Sequence, residues 1–358
     1  MAKKKTLKVG IIGVGGISHL HLSAYKKHNR VELVAIADIN EANLANAGDQ
    51  FDVPENRRFT DYKKMLKLKD LQAVSVCTPN WLHAPVTVDA LNAGKHVLTE
   101  KPMAMNAVEA KKMLDAAKRH RRKLHVGHNH RFDHSALFAK ELIAGGKLGE
   151  IYYARVQAVR RRGCPSWGVF GQLDKQGGGA MSDIGVHMVD LTMHLMGHPK
   201  PVAVSGASYR TIGDKPGHVG MFGVVNHKTY TVEDMAVGFV RFANGATMSI
   251  ETSFNANLDE DKFGTVLAGD KGGLSLYPLK VQLELNGHLT DCTPQNVDAH
   301  PAPYPQAASG HDRSIHGFVE AILNNTPTPI PGSEVILTQK IIDGLYLSAK
   351  TGKETRIK

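Results

Sequence analysis

Cysteine is scarce: Cys77, Cys164 and Cys292 are the only three in 358 residues. Odd in number and far apart, they have neither disulfide-framework nor metal spacing, so a reducing cytoplasm is the expected compartment. Aromatic residues make up only 6%, and no basic helix is interleaved with them. The net charge of +10, part of it in Lys3, Lys4 and Lys5, therefore serves an anionic cofactor or solubility as well as it would nucleic acid, and nucleic acid is discounted. No apolar run is long enough to span a membrane. The run from Val9 is broken by Gly10, Gly13, Gly15 and Gly16 and has no small-residue cleavage site, so no signal peptide is expected. Repeats and low-complexity tracts are missing too. What remains is an ordinary globular balance, 42% hydrophobic and 22% charged, at a length that suits about two domains.

The first half alternates strands with helices. Lys8–Gly13 reads as a buried strand bounded by glycines. Gly13-Val14-Gly15-Gly16-Ile17-Ser18 follows, then a helix through Asn29. The first glycine of such a turn lets the chain reverse tightly, and the second lets backbone amides approach a pyrophosphate at the helix N-terminus. Ser18 stands where a third glycine or alanine is usual. The next strand, Glu32–Asp38, ends on an acid that can accept hydrogen bonds from an adenosine ribose and would repel a 2′-phosphate. No arginine follows it, which favours NAD over NADP. Asp38 could instead cap a helix, a job that Asn40 before Glu41 could also fill. Helices are expected at 61–68, 85–93 and 106–120, and strands at 71–77 and 123–127. That alternation implies a parallel sheet.

The centre of this half is Leu98-Thr99-Glu100-Lys101-Pro102. Pro102 biases Lys101 toward extended backbone at the end of a strand, where ligands bind in open α/β sheets. A half-buried lysine there can exchange a proton or hydrogen-bond an alkoxide; a solvated lysine at a strand end satisfies the same letters. His125, His128, His130 and His134 run through mixed elements with no acid or cysteine partner, so no metal is expected.

After Phe132 the texture changes. A helix over 135–144 and a strand over 150–160 precede a loop, Arg160–Gly168. Arg160 and Arg162 could admit an anionic sugar or form a solvated rim, and Trp167 offers a flat apolar face for a sugar. Gly177-Gly178-Gly179 opens a helix on which Asp183 and His187 share a face. A carboxylate there can orient an imidazole and stabilise its cation, which suits a proton relay. Asp190 and His194 repeat the spacing, and the glycines, which let the helix start pass close to a ligand, distinguish the first pair. Antiparallel strands are expected at 202–211, 231–242, 246–254, 265–269 and 274–277. A proline-rich loop over 291–306 and helices at 312–323 and 334–349 close the chain.

Together, Gly13–Ile17, Cys77-Thr78-Pro79-Asn80-Trp81-Leu82-His83, Glu100-Lys101-Pro102 and Gly177–Gly179 through Asp183, Gly185, His187 and Asp190 resemble the Gfo/Idh/MocA oxidoreductases, the relatives of glucose–fructose oxidoreductase and inositol dehydrogenase. The resemblance covers almost the whole chain. It implies an α/β protein with an N-terminal Rossmann domain, 1–127, and a C-terminal α/β domain, 128–358, whose open, mostly antiparallel sheet serves in homodimers or homotetramers. It also implies that Gly13, Gly15, Gly16, Ile17, Asp38, Thr78, Pro79, Asn80, His83, Glu100, Lys101 and Asn129 hold NAD. Lys101, Asp183 and His187 fall on the catalytic triad, with Trp167 added as a substrate contact. The expected activity is NAD-dependent oxidation of a secondary hydroxyl of a sugar or cyclitol. Two alternatives stay open: a glycosidase or lyase that oxidises its substrate transiently, and a non-catalytic sugar or NAD sensor.

Overall fold

The computed structural model describes residues 6–357, so the Lys3–Lys5 cluster lies outside the described residues. The chain forms two units, one of residues up to Phe132 together with Pro303–Ile336, the other of Asp133–Ala302 together with the segment from Leu337. The division expected at residue 127 therefore becomes Phe132, and a later segment rejoins the first unit. The reason is burial. Ile315, Phe318 and Val319 complete an apolar cluster with Leu22, Tyr25 and Leu98, and Ile330, Val335 and Ile336 complete a second with Val97, Met103 and Val126.

The first unit is built on strands β1 (Leu7–Ile12), β2 (Val31–Ala37), β3 (Arg58–Phe59), β4 (Ala73–Val76), β5 (His96–Thr99) and β6 (Leu124–Val126). They form one sheet in the order β3-β2-β1-β4-β5-β6 with every pairing parallel. The strand order reverses between β1 and β4, and at such a switch point the crevice lies beyond the carboxyl ends of the strands. Helices α1 (Ser18–Lys27), α2 (Glu41–Gln50), α3 (Tyr62–Leu66), α4 (Asn80–Asn92) and α5 (Ala107–Arg119) supply the crossovers. Helix α4 begins five residues before the expected start at Pro85, because Pro79 sets up its first turn and the helix takes Pro85 inside it. Asn80, Trp81 and His83 thus sit on a helix rather than in a loop.

In the second unit, α6 (His134–Ala144) leads to β7 (Ile151–Val159), then α7 (Leu173–Gln176), a wide π turn (Met181–Gly185), α8 (Val186–Leu195) and β8 (Pro201–Tyr209). A short strand pair, β9 (Val219–Gly220) and β10 (Gly223–Val224), is followed by β11 (Met235–Phe242), β12 (Thr247–Ser253), β13 (Lys262–Gly269), β14 (Gly272–Leu276), β15 (Lys280–Leu285) and β16 (His288–Asp291). Helix α9 (Gly310–Leu323) belongs to the first unit; α10 (Gly332–Thr351) and β17 (Thr355–Arg356) end the chain. The nine-stranded sheet runs β16-β15-β14-β13-β7-β12-β11-β8-β17, and only β7 and β12 pair in parallel. This is the mostly antiparallel sheet that was expected. The β15–β16 hairpin was not foreseen, although its turn is Asn286-Gly287 with φ of 52° and 79°; an Asn-Gly pair with both φ positive is a strong hairpin signal.

Candidate active site

In the first unit, Gly13 follows β1 with φ +86°, and a Cβ there would lie 2.7 Å from the carbonyl oxygen of Cys77. Glycine is required at that point because two strand ends meet. Gly15 and Gly16 are different: a Cβ at either would meet nothing in the protein within 4 Å. No side chain caps the first turn of α1, and the N-terminus of a helix is a setting for an anionic group. Ser18 is buried and its hydroxyl bonds Gly15 O at 2.5 Å, which explains how it replaces the usual small residue.

Asp38 stands at the end of β2. One carboxylate oxygen accepts from Val14 N at 2.7 Å and the other from Asn40 N at 2.8 Å. Asn40, not Asp38, caps α2, accepting from Ala42 N and Asn43 N. The Asp38 carboxylate is thus fixed beside the glycine turn with lone pairs to spare. Two buried oxygens close in sequence to the other strand ends, Thr78 Oγ1 and Asn129 Oδ1, have no hydrogen-bond partner among the described residues. The open glycines, the anchored acid and these two oxygens fit a dinucleotide.

His83, expected to contact the cofactor, is held by the backbone of its own unit. It is buried, with Nδ1 2.7 Å from Pro102 O and Nε2 2.8 Å from Thr78 O. A neutral imidazole has one N–H and donates to only one of these carbonyls, with the other nitrogen lying against the second, so His83 sits between the loops after β4 and β5. Burial pulls its pKa down, against the two carbonyls.

Glu100 is buried beneath Lys101. Its Oε1 lies 2.8 Å from His21 Nε2, and its Oε2 accepts from Lys101 N at 3.2 Å. His21 Nδ1 meets Ser75 Oγ at 3.1 Å, which in turn meets Tyr25 OH at 2.7 Å. Burial alone would push the Glu100 carboxyl up, but His21 and then Lys101 hold it down at about 2. For His21, burial opposes the charge, while the Glu100 carboxylate holds the imidazole above its ordinary value. Glu100 is the anion beside it, since burial keeps the Cys77 thiol protonated. Nothing in the sequence pointed to His21, whose partner lies 79 residues away. Of the other histidines, His125 bonds Ser314 Oγ at 3.0 Å and burial pulls its pKa down to about 3. His134 bonds His300 O at 2.8 Å.

In the second unit, Asp183 is buried in the π turn and His187 is half-buried in the first turn of α8. The glycines before them do not make room for a ligand, as the sequence suggested. A Cβ at Gly178 would strike Tyr346 and Ser182, one at Gly179 would strike Glu233 O, and one at Gly185 would come within 2.5 Å of Thr252 Cγ2. The acids of Glu233-Asp234 are buried and anchored. Asp234 accepts from Thr211, Ile212 and Gly213 amides, from Tyr230 OH and from Asn255 Nδ2. The loop arginines are occupied by backbone: Arg160 bonds Gly163 O, and Arg162 bonds Arg161 O and Ala256 O. Trp167 remains 55% exposed, edge-on to Phe222 at 5.2 Å and to Phe170 at 6.1 Å between ring centroids.

The oxidoreductase family described by an NAD-binding Rossmann fold matches residues 7–128, and its C-terminal α/β domain matches residues 140–358. The chain belongs to the Gfo/Idh/MocA family. It is therefore an oxidoreductase with an NAD-binding first domain, as the motifs implied. Among relatives in this family, it is 34% identical to D-glucoside 3-dehydrogenase of Escherichia coli (strain K12) over 353 residues, 98% of this chain and 97% of that protein. It is 29% identical to levoglucosan dehydrogenase of Pseudarthrobacter phenanthrenivorans over 75% of this chain and 73% of that one. Levoglucosan dehydrogenase in complex with NADH shares the fold at a TM-score of 0.84 with 24% identity, covering 99% of this chain and 100% of that one. Among the described residues, no helix is long and apolar enough to cross a membrane, and all three cysteines are free.

Proposed function

We propose that this protein is an NAD-dependent dehydrogenase that oxidises a secondary ring hydroxyl of a D-glucoside, or of a closely related sugar or cyclitol, to the ketone. The observation that carries this reading is the 34% identity to a D-glucoside 3-dehydrogenase through 98% of the chain. Asp38, anchored at the end of β2 and followed by Ile39 rather than arginine, supports NAD over NADP.

The roles follow from residue chemistry. His187 accepts the hydroxyl proton, the role for which imidazole is the commonest side chain. Asp183, four residues earlier, orients that ring and stabilises its cation. Lys101 donates a hydrogen bond to the same oxygen and favours the developing alkoxide. A bound nicotinamide would supply the acceptor for the hydride that leaves the carbinol carbon. Gly15, Gly16, Asp38, Thr78 and Asn129 hold the dinucleotide, and Trp167 stacks on the sugar ring. Assembly is proposed to be a homodimer or homotetramer through the open face of the nine-stranded sheet, which light scattering tests directly.

The deciding experiment incubates the protein with methyl D-glucosides, levoglucosan, myo-inositol and glucose, each with NAD and with NADP, and follows nicotinamide absorbance. NADH accumulating with a glucoside is the expected result. Released aglycone without net NADH would move the assignment to transient oxidation, and no reduction with any of these compounds would sink it.

A further inference from the structure

We propose that Glu233 is a positioning residue for the Asp183–His187 pair, acting through the two backbone amides that open the π turn. The inference rests on the roles given above to Asp183 and His187. Glu233 Oε2 accepts from Gly179 N at 2.7 Å, and Oε1 accepts from Met181 N at 3.0 Å and from Tyr346 OH at 2.9 Å. Gly179 O in turn accepts from Asp183 N at 3.0 Å. One residue, Gly179, therefore separates the Glu233 carboxylate from the backbone of Asp183.

The environment leaves this carboxylate little freedom. Glu233 is 7% exposed, and it faces no basic side chain among its described partners. Its charge is borne by two amides, a phenol and the positive end of the turn. Burial nonetheless pushes its carboxyl up. The phenol is itself braced, since Tyr346 OH lies 3.2 Å from Ser182 Oγ, the residue before Asp183. Gly178 and Gly179 are glycines because a Cβ there would strike Tyr346, Ser182 or the Glu233 carbonyl. The glycine run thus admits a carboxylate and a phenol from the protein itself, and these two groups set the start of the segment that carries Asp183 and His187.

The geometry demands a carboxylate. An amide side chain has one acceptor oxygen, so Glu233→Gln must turn an N–H toward Gly179 N or Met181 N. The turn then relaxes and Asp183 shifts against His187, while the first unit is untouched. Tyr346→Phe is gentler, since it removes one donor and keeps both amide bonds.

The test needs no substrate. The His187 imidazole is titrated by NMR in ring-labelled full-length protein, its signal identified by loss in His187→Ala. Glu233→Gln should displace the titration midpoint by about half a pH unit or more, and Tyr346→Phe by less in the same direction. Curves that superpose on wild type in a folded variant overturn the inference; if Glu233→Gln does not fold, Tyr346→Phe decides by the same criterion. With methyl D-glucoside as probe, kcat should fall roughly 10–100-fold in Glu233→Gln while KM for NAD stays unchanged. A wild-type kcat in Glu233→Gln, beside a silent His187→Ala, removes the inference alone. An active His187→Ala removes the proposed roles and the inference with them.

Discussion

His21 Nε2 lies 2.8 Å from Glu100 Oε1, and both side chains are buried. The pair ties α1 to the strand end that carries Lys101. Removing one partner of a buried ion pair leaves the other charge uncompensated, at a cost of about 3–5 kcal/mol. His21→Gln should destabilise the first unit by that order in urea unfolding; a change near zero would show that the pair carries no net interaction.

The same pair sets a pH dependence. His21 is raised above 6.5 by its carboxylate partner, so its contribution is full below pH 6.5 and is lost as pH climbs through that raised value. Glu100 is lowered from 4.5 to about 2, so its contribution is full above pH 4.5 and is lost as pH falls toward 2. Stability followed from neutral to alkaline pH should decline in wild type, and His21→Gln should flatten that arm. Parallel curves for the two proteins would contradict the assignment.

Gly13 and Gly15 should part company under substitution. Gly13→Ala meets Cys77 O at 2.7 Å with φ +86° and should cost about 1–3 kcal/mol of stability. Gly15→Ala meets no protein atom within 4 Å. It should change stability by less than about 0.5 kcal/mol yet weaken NADH binding by roughly tenfold or more, read by nucleotide fluorescence. Unaltered NADH affinity in Gly15→Ala would remove the pyrophosphate from that cradle.

Cofactor choice should follow Asp38. Replacing it as Asp38→Ser together with Ile39→Arg removes the repulsion of a 2′-phosphate and adds a cation for it. The ratio of kcat/KM for NADP to that for NAD should rise by at least about tenfold, or 1.4 kcal/mol. An unchanged ratio would leave the preference unexplained by this acid.

Removing the proton acceptor should separate binding from turnover. His187→Ala should lose roughly 10²–10⁴-fold in kcat with NADH affinity intact, and Lys101→Met should behave alike. Wild-type turnover in His187→Ala would refute its role.

What the sequence disclosed was local chemistry. The glycine turn, Asp38 at a strand end and Asn40 as a cap each announce themselves within a few residues, and β1, β2 and β7 lie where their apolar patterns put them. Partnerships across long separations were not legible. A histidine in Ser18–Lys27 gives no sign that its partner is Glu100, and α9 looks like any amphipathic helix until Phe318 is seen among Leu22 and Leu98. Glu233 was hidden for a related reason: an acid at a strand start is ordinarily solvated, and only the approach of Gly179 and Met181 makes it an acceptor. The turn at Asn286-Gly287, by contrast, carries its own signal in an Asn-Gly pair.

The first unit is encoded in two separated stretches, ending with Pro303–Ile336. A gene cut after Phe132 would yield a sheet with Leu22, Tyr25 and Leu98 uncovered where Ile315 and Phe318 belong. Ribosomes must therefore reach Ile336 before the nucleotide-binding half can close, and recombination between homologous genes would preserve that half only by exchanging both stretches together.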